Sequence, residues 1–336
     1  MRTVFTFLLL AVLAFGGWLA WELTQPVTPA GQTFVLLHPG YSSRHIASEL
    51  QAAGVIRSAA AFAIWHRIHH GRSLKAGEYL FDKTATALDI HQRLVRGDVY
   101  FHTVVIPEGY NIFDIAQALQ DAGLGSSEEF LKVATSDTAL IADLAPDAKT
   151  LEGYLFPNTY EFTRMQTMPE IAAAMVKQFR QVAREIGLAT DLQNVSGPGN
   201  DLQRTVILAS IIEKETAAPE ERPLVASVYN NRLARRVALQ ADPSVIYAEL
   251  LQGSYSGALH HADMRFDSGY NTYTHSGLPP GPIGNPGRTS LEAAMHPADT
   301  DYFYFVSNGN GHHRFAHSLE EHNRNVAAYR KVLKKR

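Results

Sequence analysis

The stretch Val206-Ile-Leu-Ala-Ser-Ile-Ile-Glu213-Lys-Glu215-Thr decides how the larger part of the chain is built. An apolar run without glycine or proline ends there in two carboxylates, one residue apart. Its length and composition predict a buried helix. At about 100° per residue the two acids point in different directions, so we expect only one of them to face a shared cleft.

Glu213 is the candidate for chemistry within this stretch. A carboxylate at the end of an apolar helix loses solvation, and this raises its pKa. Reactions that need a carboxylic acid at neutral pH use such an environment. Acids also end helices as ordinary solvated residues, so the decision depends on the rest of the chain.

Composition narrows the class of protein. The 336 residues leave room for two domains and a targeting segment. A net charge of -3 argues against a dedicated nucleic-acid binder. The chain has no cysteine, which excludes disulfides, thiolate nucleophiles and cysteine-based zinc sites.

The N-terminus carries an uncharged stretch from Val4 to Trp21, closed by Glu22. This length is at the lower end of what spans a bilayer as a helix. Trp18 and Trp21 lie where an aromatic belt is expected, and Arg2 would stay on the cytoplasmic side. The alternative is a cleaved signal peptide, whose apolar part is usually about 7–15 residues. No A-x-A site follows, so we expect an uncleaved single span and an exported body.

An internal repeat follows a proline-containing linker at residues 25–32. Val35-Leu-Leu-His-Pro-Gly-Tyr41 reappears 69 residues later as Val104-Val-Ile-Pro-Glu-Gly-Tyr110. Each copy predicts a short strand, a Pro/Gly turn and a helix ended by glycine. Between the copies, Gly77 to Phe81 predicts a strand, and a short helix ends at Gly97. Such small repeats are typical of packing units or ligand-binding modules.

The second half alternates predicted helices with irregular segments. The segment 151–162 is too aromatic for an ordinary loop, and 277–287 holds too many glycines and prolines for regular structure. The predicted elements are helices over 128–133 and 168–186, a loop over 195–201, a helix starting near Pro219 or a few residues later, a strand over 302–306, a turn over 309–317 and a final helix from Leu319.

Several chemistries are excluded by the motifs. The nearest match to a serine-hydrolase elbow, Gly253-Ser-Tyr-Ser-Gly257, has tyrosine at its centre. The sequence contains no H-E-x-x-H, P-loop or G-x-G-x-x-G pattern. Adjacent histidines at 260–261 and 312–313 diverge on any regular backbone, so no metal is predicted, and no cofactor is expected.

What remains is a glycosidase-like site with a desolvated acid and aromatic and amide groups. Glycoside hydrolases usually pair two carboxylates. Glu213 and Glu215 are poorly placed as such a pair, and Asp242 is a distant candidate. One working acid suits a reaction in which the substrate supplies its own nucleophile.

Several motifs in one order carry a resemblance to a known family. L-A-S-I-I-E-K-E-T, L-Q-A-D-P-S-V-I-Y, Y-N-T-Y, G-L-P-P-G-P-I-x-N-P-G and Glu321-His322-Asn323 together resemble the endolytic murein transglycosylases of the MltG type. L-E-G-Y-L-F-P-N-T-Y also fits, although Asn158 stands where the family leads us to expect Asp. The resemblance covers nearly the whole chain.

The resemblance implies a mixed α+β protein of the bacterial inner membrane, with the N-terminus cytoplasmic and the catalytic domain periplasmic. The expected parts are a transmembrane anchor (1–24), a linker (25–32), a small LysM-like module (33–100), a second repeat-like strand–helix segment (101–145) and a catalytic domain (146–336) with the catalytic glutamate at the end of a buried helix.

The resemblance also implies a reaction and a site. Glu213 would be the acid and base that cleaves peptidoglycan strands without water and leaves 1,6-anhydromuramyl ends. Glu215 is expected to support it. The expected substrate-binding set is Glu152, Tyr154, Ser210, Glu215, Gln240, Asp242, Ser244, Tyr270, Asn271 and Tyr273.

The implied partners are glycan strands and peptidoglycan synthases, with no nucleic acid and no cofactor. Two alternatives stay open. One is a peptidoglycan-binding scaffold without turnover, and the other is a muramidase-type hydrolase, which would need a second carboxylate.

Overall fold

The computed structural model describes residues 2–69, 73–188 and 201–334. The chain divides into two units, the first comprising Met1–Thr103 with Glu161–Thr167 and the second Val104–Tyr160 with Met168–Arg336. Helices and strands mix throughout, and the strands of the described residues form three two-stranded sheets. The predicted mixed α+β class is therefore confirmed.

The first unit begins with the apolar helix α1 (Arg2–Thr24), which has a mean hydropathy of 2.1 and is long enough to cross a membrane. Residues 2–18 are exposed. The last turn of α1 is different, because Leu23 is only 3% exposed and belongs to the core of the following module. Val27, in the segment predicted as a linker, forms a β-bridge with Ala85.

The module after α1 has the order strand, helix, helix, strand, helix. Its two strands pair antiparallel, and alternate residues such as Val35 and Leu37 face the core. The elements are β1 (Thr33–Leu37), α2 (Ser43–Ala52), α3 (Ala59–Ile68), β2 (Gly77–Phe81) and α4 (Ala87–Arg96).

The rest of the chain, from β3 onward, is mainly helical. β3 pairs with β4, and β5 with β6. The elements are β3 (His102–Ile106), α5 (Ile112–Asp121), α6 (Ser127–Ser136), β4 (Asn158–Phe162), α7 (Met168–Glu185), α8 (Asp201–Glu215), α9 (Arg222–Ala234), α10 (Asp242–Gln252), α11 (Arg288–Met295), β5 (Tyr304–Ser307), β6 (His313–Ala316) and α12 (Leu319–Leu333).

The predicted repeat is confirmed as two strand–helix units, β1–α2 and β3–α5. Ser42 caps α2 and Asn111 caps α5, each by accepting hydrogen bonds from backbone N–H groups of the first turn. After the helices, Gly54 and Gly123 have φ of 69° and 70°. Glycine tolerates this left-handed conformation better than other residues, which explains why both helices end there.

Helix α8 is the buried helix that its apolar run predicts. No residue from Val206 to Ile212 is more than 5% exposed. Helices α9, α10 and α11 pack around it. Burying each large aliphatic side chain contributes about 1.5–3 kcal/mol, so the rotation of α8, and with it the direction of Glu213, is firmly set.

Two predictions about irregular segments were wrong in part. The predicted turn over 309–317 contains strand β6, which pairs antiparallel with β5 from Tyr304 opposite Ala316. His313 and Arg314 of β6 have no marked strand preference, so no local pattern predicts the strand. Its pairing with β5 specifies it instead. Asp201, predicted as loop, is the first residue of α8. The rest of that predicted loop, residues 195–200, lies outside the described residues.

Candidate functional site

Glu213 lies in the last turn of α8 with its side chain only 4% exposed. Oε1 accepts a hydrogen bond of 2.7 Å from the guanidinium of Arg222, and Oε2 accepts one of 2.9 Å from the backbone N–H of Gly287. Both oxygens are thus held, and the carboxyl group cannot rotate without breaking a charge-assisted hydrogen bond.

The two donors reach Glu213 because two helices begin beside the end of α8. Arg222 is the first residue of α9, preceded by a short 3₁₀ turn at Pro219–Glu221. Gly287 is the N-cap of α11, so its N–H belongs to the free donors of a helix start. A helix N-terminus also carries partial positive charge, which favours an anion.

The charge state of Glu213 reflects opposing influences. Burial raises the pKa of its carboxyl group, against the lowering effects of the Gly287 N–H, of Ser290 and of the Arg222 guanidinium. The negative charge of Glu108 raises the pKa further, and the net direction is upward. Glu213 therefore keeps its proton to higher pH than an ordinary glutamate.

An open pocket of about 380 Å³ lies at the end of α8. Glu213 and Glu215 are both among its lining residues, and the expectation that only one of the two acid side chains faces a shared cleft stays a prediction. Their carboxylates do have different partners, because Glu215 accepts a 2.6 Å hydrogen bond from Tyr229. The lining residues are Glu108, Gly109, Glu213, Lys214, Glu215, Thr216, Ala217 and Arg222.

Glu215 is connected electrostatically to two other residues of the predicted substrate-binding set. Burial raises its pKa to about 7, and the charge of Asp242 adds to that rise. The hydroxyl of Tyr273 donates to Asp242, which is exposed at the start of α10. The structure thus brings Glu215, Asp242 and Tyr273 into one neighbourhood.

Three other residues of the set shape the loops around α10. Ser244 is fully buried and bonds the Ala241 carbonyl at 2.7 Å. Asn271, also fully buried, donates to the Phe266 carbonyl at 2.7 Å. Gln240 is exposed and has a left-handed φ of 54°. Ser244 and Asn271 therefore satisfy backbone groups, and none of the three lines the pocket.

Glu152 is the centre of a buried network. Its side chain accepts from the Ile112 N–H at 2.9 Å, the Tyr247 hydroxyl at 2.9 Å and the Asn285 amide at 2.7 Å. Burial outweighs these hydrogen bonds and raises its pKa to about 8. Tyr270 packs on Tyr247 with ring centroids 5.1 Å apart. Glu152 therefore holds parts of the chain together away from the pocket lining.

Ser210 and Tyr154 are buried as well. The hydroxyl of Ser210 donates to the Ile207 carbonyl at 2.7 Å and accepts from the Ile283 N–H at 3.1 Å. It thereby ties the Gly/Pro-rich segment to α8. The ring of Tyr154 lies against Phe179, and its hydroxyl has no hydrogen-bond partner within the described residues.

Glu108 and Arg222 are not among the site residues expected from the sequence. Arg222 follows the predicted helix start at Pro219, and no local pattern distinguishes it from the other charged residues of the chain. Glu108 lies in the second copy of the repeat, where the first copy has Pro39. That difference between two otherwise similar turns was the signal that could have found it.

Together these features define a class: an α+β protein in which a buried carboxyl group with a raised pKa lines an open pocket, the arrangement of an acid–base enzyme. The model of the YceG-like family matches residues 35–328. The chain belongs to that family.

Named relatives agree with this membership. The chain is 33% identical to the endolytic murein transglycosylase of Bacillus subtilis (strain 168), over 92% of this chain and 88% of that protein. It is 27% identical to the protein of the same name from Streptococcus pneumoniae strain D39, over 95% of this chain but only 63% of that longer protein. The crystal structure of a YceG-like protein from Listeria monocytogenes superposes with a TM-score of 0.58, at 32% identity, over 87% of this chain and 98% of that one.

Proposed function

We propose that this protein is an endolytic murein transglycosylase with Glu213 as its catalytic acid and base. The observation that carries the proposal is the Glu213 carboxyl group, buried, raised in pKa and lining an open pocket. Membership of the YceG-like family and the names of the relatives support the substrate, which is the glycan strand of peptidoglycan.

The reaction needs one group that first gives and then takes a proton. Protonated Glu213 donates to the glycosidic oxygen between N-acetylmuramic acid and N-acetylglucosamine as the bond from that oxygen to C1 breaks. The resulting carboxylate accepts the proton of the muramyl C6 hydroxyl while that oxygen bonds to C1. A 1,6-anhydromuramyl end and a free 4-hydroxyl result, and no water is consumed.

The hydrogen-bond donors to Glu213 act at the stage between the two proton transfers. Between the two proton transfers the group is a carboxylate in a buried position, which would be costly without compensation. The Arg222 guanidinium and the Gly287 N–H stabilise it there. Burial and the Glu108 charge favour the protonated form at the start and the end.

Within the predicted substrate-binding set, we assign direct sugar contacts to Gln240, Asp242, Tyr270 and Tyr273. Glu215, whose carboxylate is buried and accepts from Tyr229, supports the site. The buried members support the walls, namely Glu152, Tyr154, Ser210, Ser244 and Asn271. Tyrosine rings can stack on sugar faces while their hydroxyls bind polar groups, which favours Tyr270 and Tyr273 for this role.

The cellular arrangement follows from α1. We propose that α1 anchors the protein in the bacterial inner membrane as a single span, with Arg2 cytoplasmic and the catalytic unit periplasmic. The module of residues 33–100 is LysM-like and holds glycan, a role supported by its strand–helix–helix–strand order. We also propose that cleavage terminates newly made strands. Peptidoglycan synthases are then the expected neighbours, because termination requires access to the new strand.

The test uses the full-length chain in detergent with purified peptidoglycan, and mass spectrometry of the products. Wild type should produce anhydromuramyl ends, which are one water lighter than hydrolysis products. Glu213→Gln should slow cleavage by about 10²–10⁴-fold, the usual contribution of a general acid–base group. Glu215→Gln is the matched control, because it lines the same pocket and also has a raised pKa; it should retain part of the activity.

Two results would reject the proposal. Undiminished cleavage by Glu213→Gln would remove the catalytic role of this group. Reducing ends from the wild type would indicate a hydrolase, in which Glu108 would be the candidate partner carboxylate, since it lines the pocket beside Glu213 and Glu215.

A further inference from the structure

The guanidinium of Arg222 is shared by two carboxylates. Its Nη2 lies 2.7 Å from Glu213 Oε1 and 3.4 Å from Glu108 Oε2. Its Nη1 lies 3.5 Å from the same Glu108 oxygen and also donates to the Thr289 hydroxyl. Arg222 is 6% exposed, while Glu108 is 48% exposed. A buried cation thus connects the buried acid to a second acid at the pocket surface.

Glu108 is also packed against the other partner of Glu213. A Cβ atom on Gly287 would lie 2.8 Å from Glu108 Cγ and closer still to its carboxylate. The absence of a side chain at Gly287 therefore leaves the space that Glu108 occupies. Both donors of Glu213, the Arg222 guanidinium and the Gly287 N–H, have Glu108 as a neighbour.

This geometry has a chemical consequence. An arginine that faced Glu213 alone would favour its carboxylate and oppose the protonated form that the first step needs. We propose that Glu108 is a positioning residue for the Glu213 reaction, which divides the charge of Arg222 between two carboxylates. This inference rests on the function proposed above. Glu108 acts through Arg222 and Glu213 and takes no proton from the substrate.

The other charged groups around Glu213 have partners of their own. On α8, Lys214 donates to the Gly109 carbonyl at 3.2 Å, and Glu215 accepts from a tyrosine hydroxyl. On α11, Arg288 pairs with Glu185 and Glu292. On the 3₁₀ turn before α9, Glu220 and Glu221 face histidines of the β5–β6 hairpin. Arg222 and Glu108 remain as the charges that act most directly on Glu213.

The experiment is the pH dependence of anhydromuramyl formation by the full-length chain in detergent. The decline of the rate at high pH reports deprotonation of Glu213. Glu108→Gln removes a negative neighbour and leaves the whole charge of Arg222 to Glu213, so the pKa of Glu213 falls. The decline should move to lower pH by about one unit. The rate above the decline then drops about tenfold, and the rate below it stays unchanged.

Glu292→Gln is the matched control. Its side chain is 45% exposed, close to that of Glu108, and it belongs to α11, whose N-cap binds Glu213. It should leave the pH profile in place. The profiles are compared by the pH at which the rate declines. A smaller amount of folded Glu108→Gln protein would lower all rates by the same factor and would leave that pH unchanged.

Each other outcome overturns the inference or the function beneath it. An unmoved decline in Glu108→Gln shows that Glu108 does not act on Glu213. A uniform loss at every pH assigns Glu108 a direct or purely structural role and rejects positioning. Reducing ends or no cleavage from wild type reject the proposed transglycosylase, a result read from the product masses and independent of the Glu108 variant.

Discussion

The buried carboxyl group of Glu152 gives the most direct test of how the second unit is held together. Its Oε1 binds the Asn285 amide, and its Oε2 binds the Ile112 N–H and the Tyr247 hydroxyl. Glu152→Gln keeps the shape but replaces one oxygen by an NH₂ group. Asn285 cannot turn over to receive it, because its own oxygen binds the Leu155 N–H.

In either orientation, the NH₂ group of the new glutamine therefore faces at least one fixed N–H donor, either that of Asn285 or that of Ile112. A buried donor without a partner costs about 1–3 kcal/mol, and we expect the free energy of unfolding of the second unit to fall by that amount. For a unit of this size the melting temperature should fall by about 2–4 °C per kcal/mol. The exposed residue Asp147 provides the control, since Asp147→Asn makes the same chemical exchange without burial.

The stability that Glu152 contributes decreases as the pH rises. The pKa of Glu152 is raised to about 8 in the folded protein, above its value in the unfolded chain. The folded state therefore binds this proton more tightly, and the associated stability is complete below the unfolded pKa and lost as pH rises through about 8. Glutamine does not titrate, so the deficit of Glu152→Gln should be larger near pH 5 than above pH 8.

Differential scanning calorimetry of the full-length chain in detergent is the suitable assay. The three tryptophans are at positions 18, 21 and 65, all in the first unit, so tryptophan fluorescence would not report the second. An unchanged transition at pH 5 in Glu152→Gln would refute the reasoning, because it would show that the donors around this group find partners without it.

Substitutions at Gly153 and Gly287 test close packing, and Gly257→Ala is the control for the first of them. Gly153→Ala should lower the free energy of unfolding by about 2–4 kcal/mol in a thermal melt, because φ is +87° and the new Cβ would lie 2.7 Å from Pro282 Cβ. Gly257→Ala, at φ +93° with open space around it, should lower it by only about 1 kcal/mol. Equal losses in the two variants would contradict the packing argument. Gly287→Ala should push the Glu108 carboxylate away from Arg222 with little effect on melting, and it should lower the pH at which activity declines; wild-type pH dependence in this variant would contradict that displacement.

The elements of this protein were largely predictable, because their signals are local. The repeat was visible from Pro/Gly turns and terminal glycines such as Gly123, which take the left-handed conformation that ends a helix. β6 was missed because His313 and Arg314 carry no strand preference that stands out, and the pairing with β5 supplies the order that the residues themselves do not.

Of the residues that line the pocket, the sequence predicted Glu213 and Glu215 but not Glu108 or Arg222. The family resemblance implied a wide substrate-binding set, and two of its members, Asn271 and Ser244, are buried and bond backbone groups. A sequence does not distinguish a polar side chain that binds a ligand from one that satisfies a carbonyl, since both need the same donors and acceptors.

By itself the sequence determined the apolar helix α8 and the position of Glu213 at its end, because hydrophobic burial depends on a continuous apolar run. Only the tertiary structure decided what surrounds that group. Arg222 and Glu108 are 114 residues apart. They meet because the start of α9, which carries Arg222, and the turn after β3, which carries Glu108, both lie beside the end of α8, where Lys214 donates to the Gly109 carbonyl. The periodicity of a helix specifies which face is buried, whereas packing between elements specifies which charges meet there. Burial is the largest influence on the pKa of the acid, and the hydrogen bonds and charges around it modify that pKa.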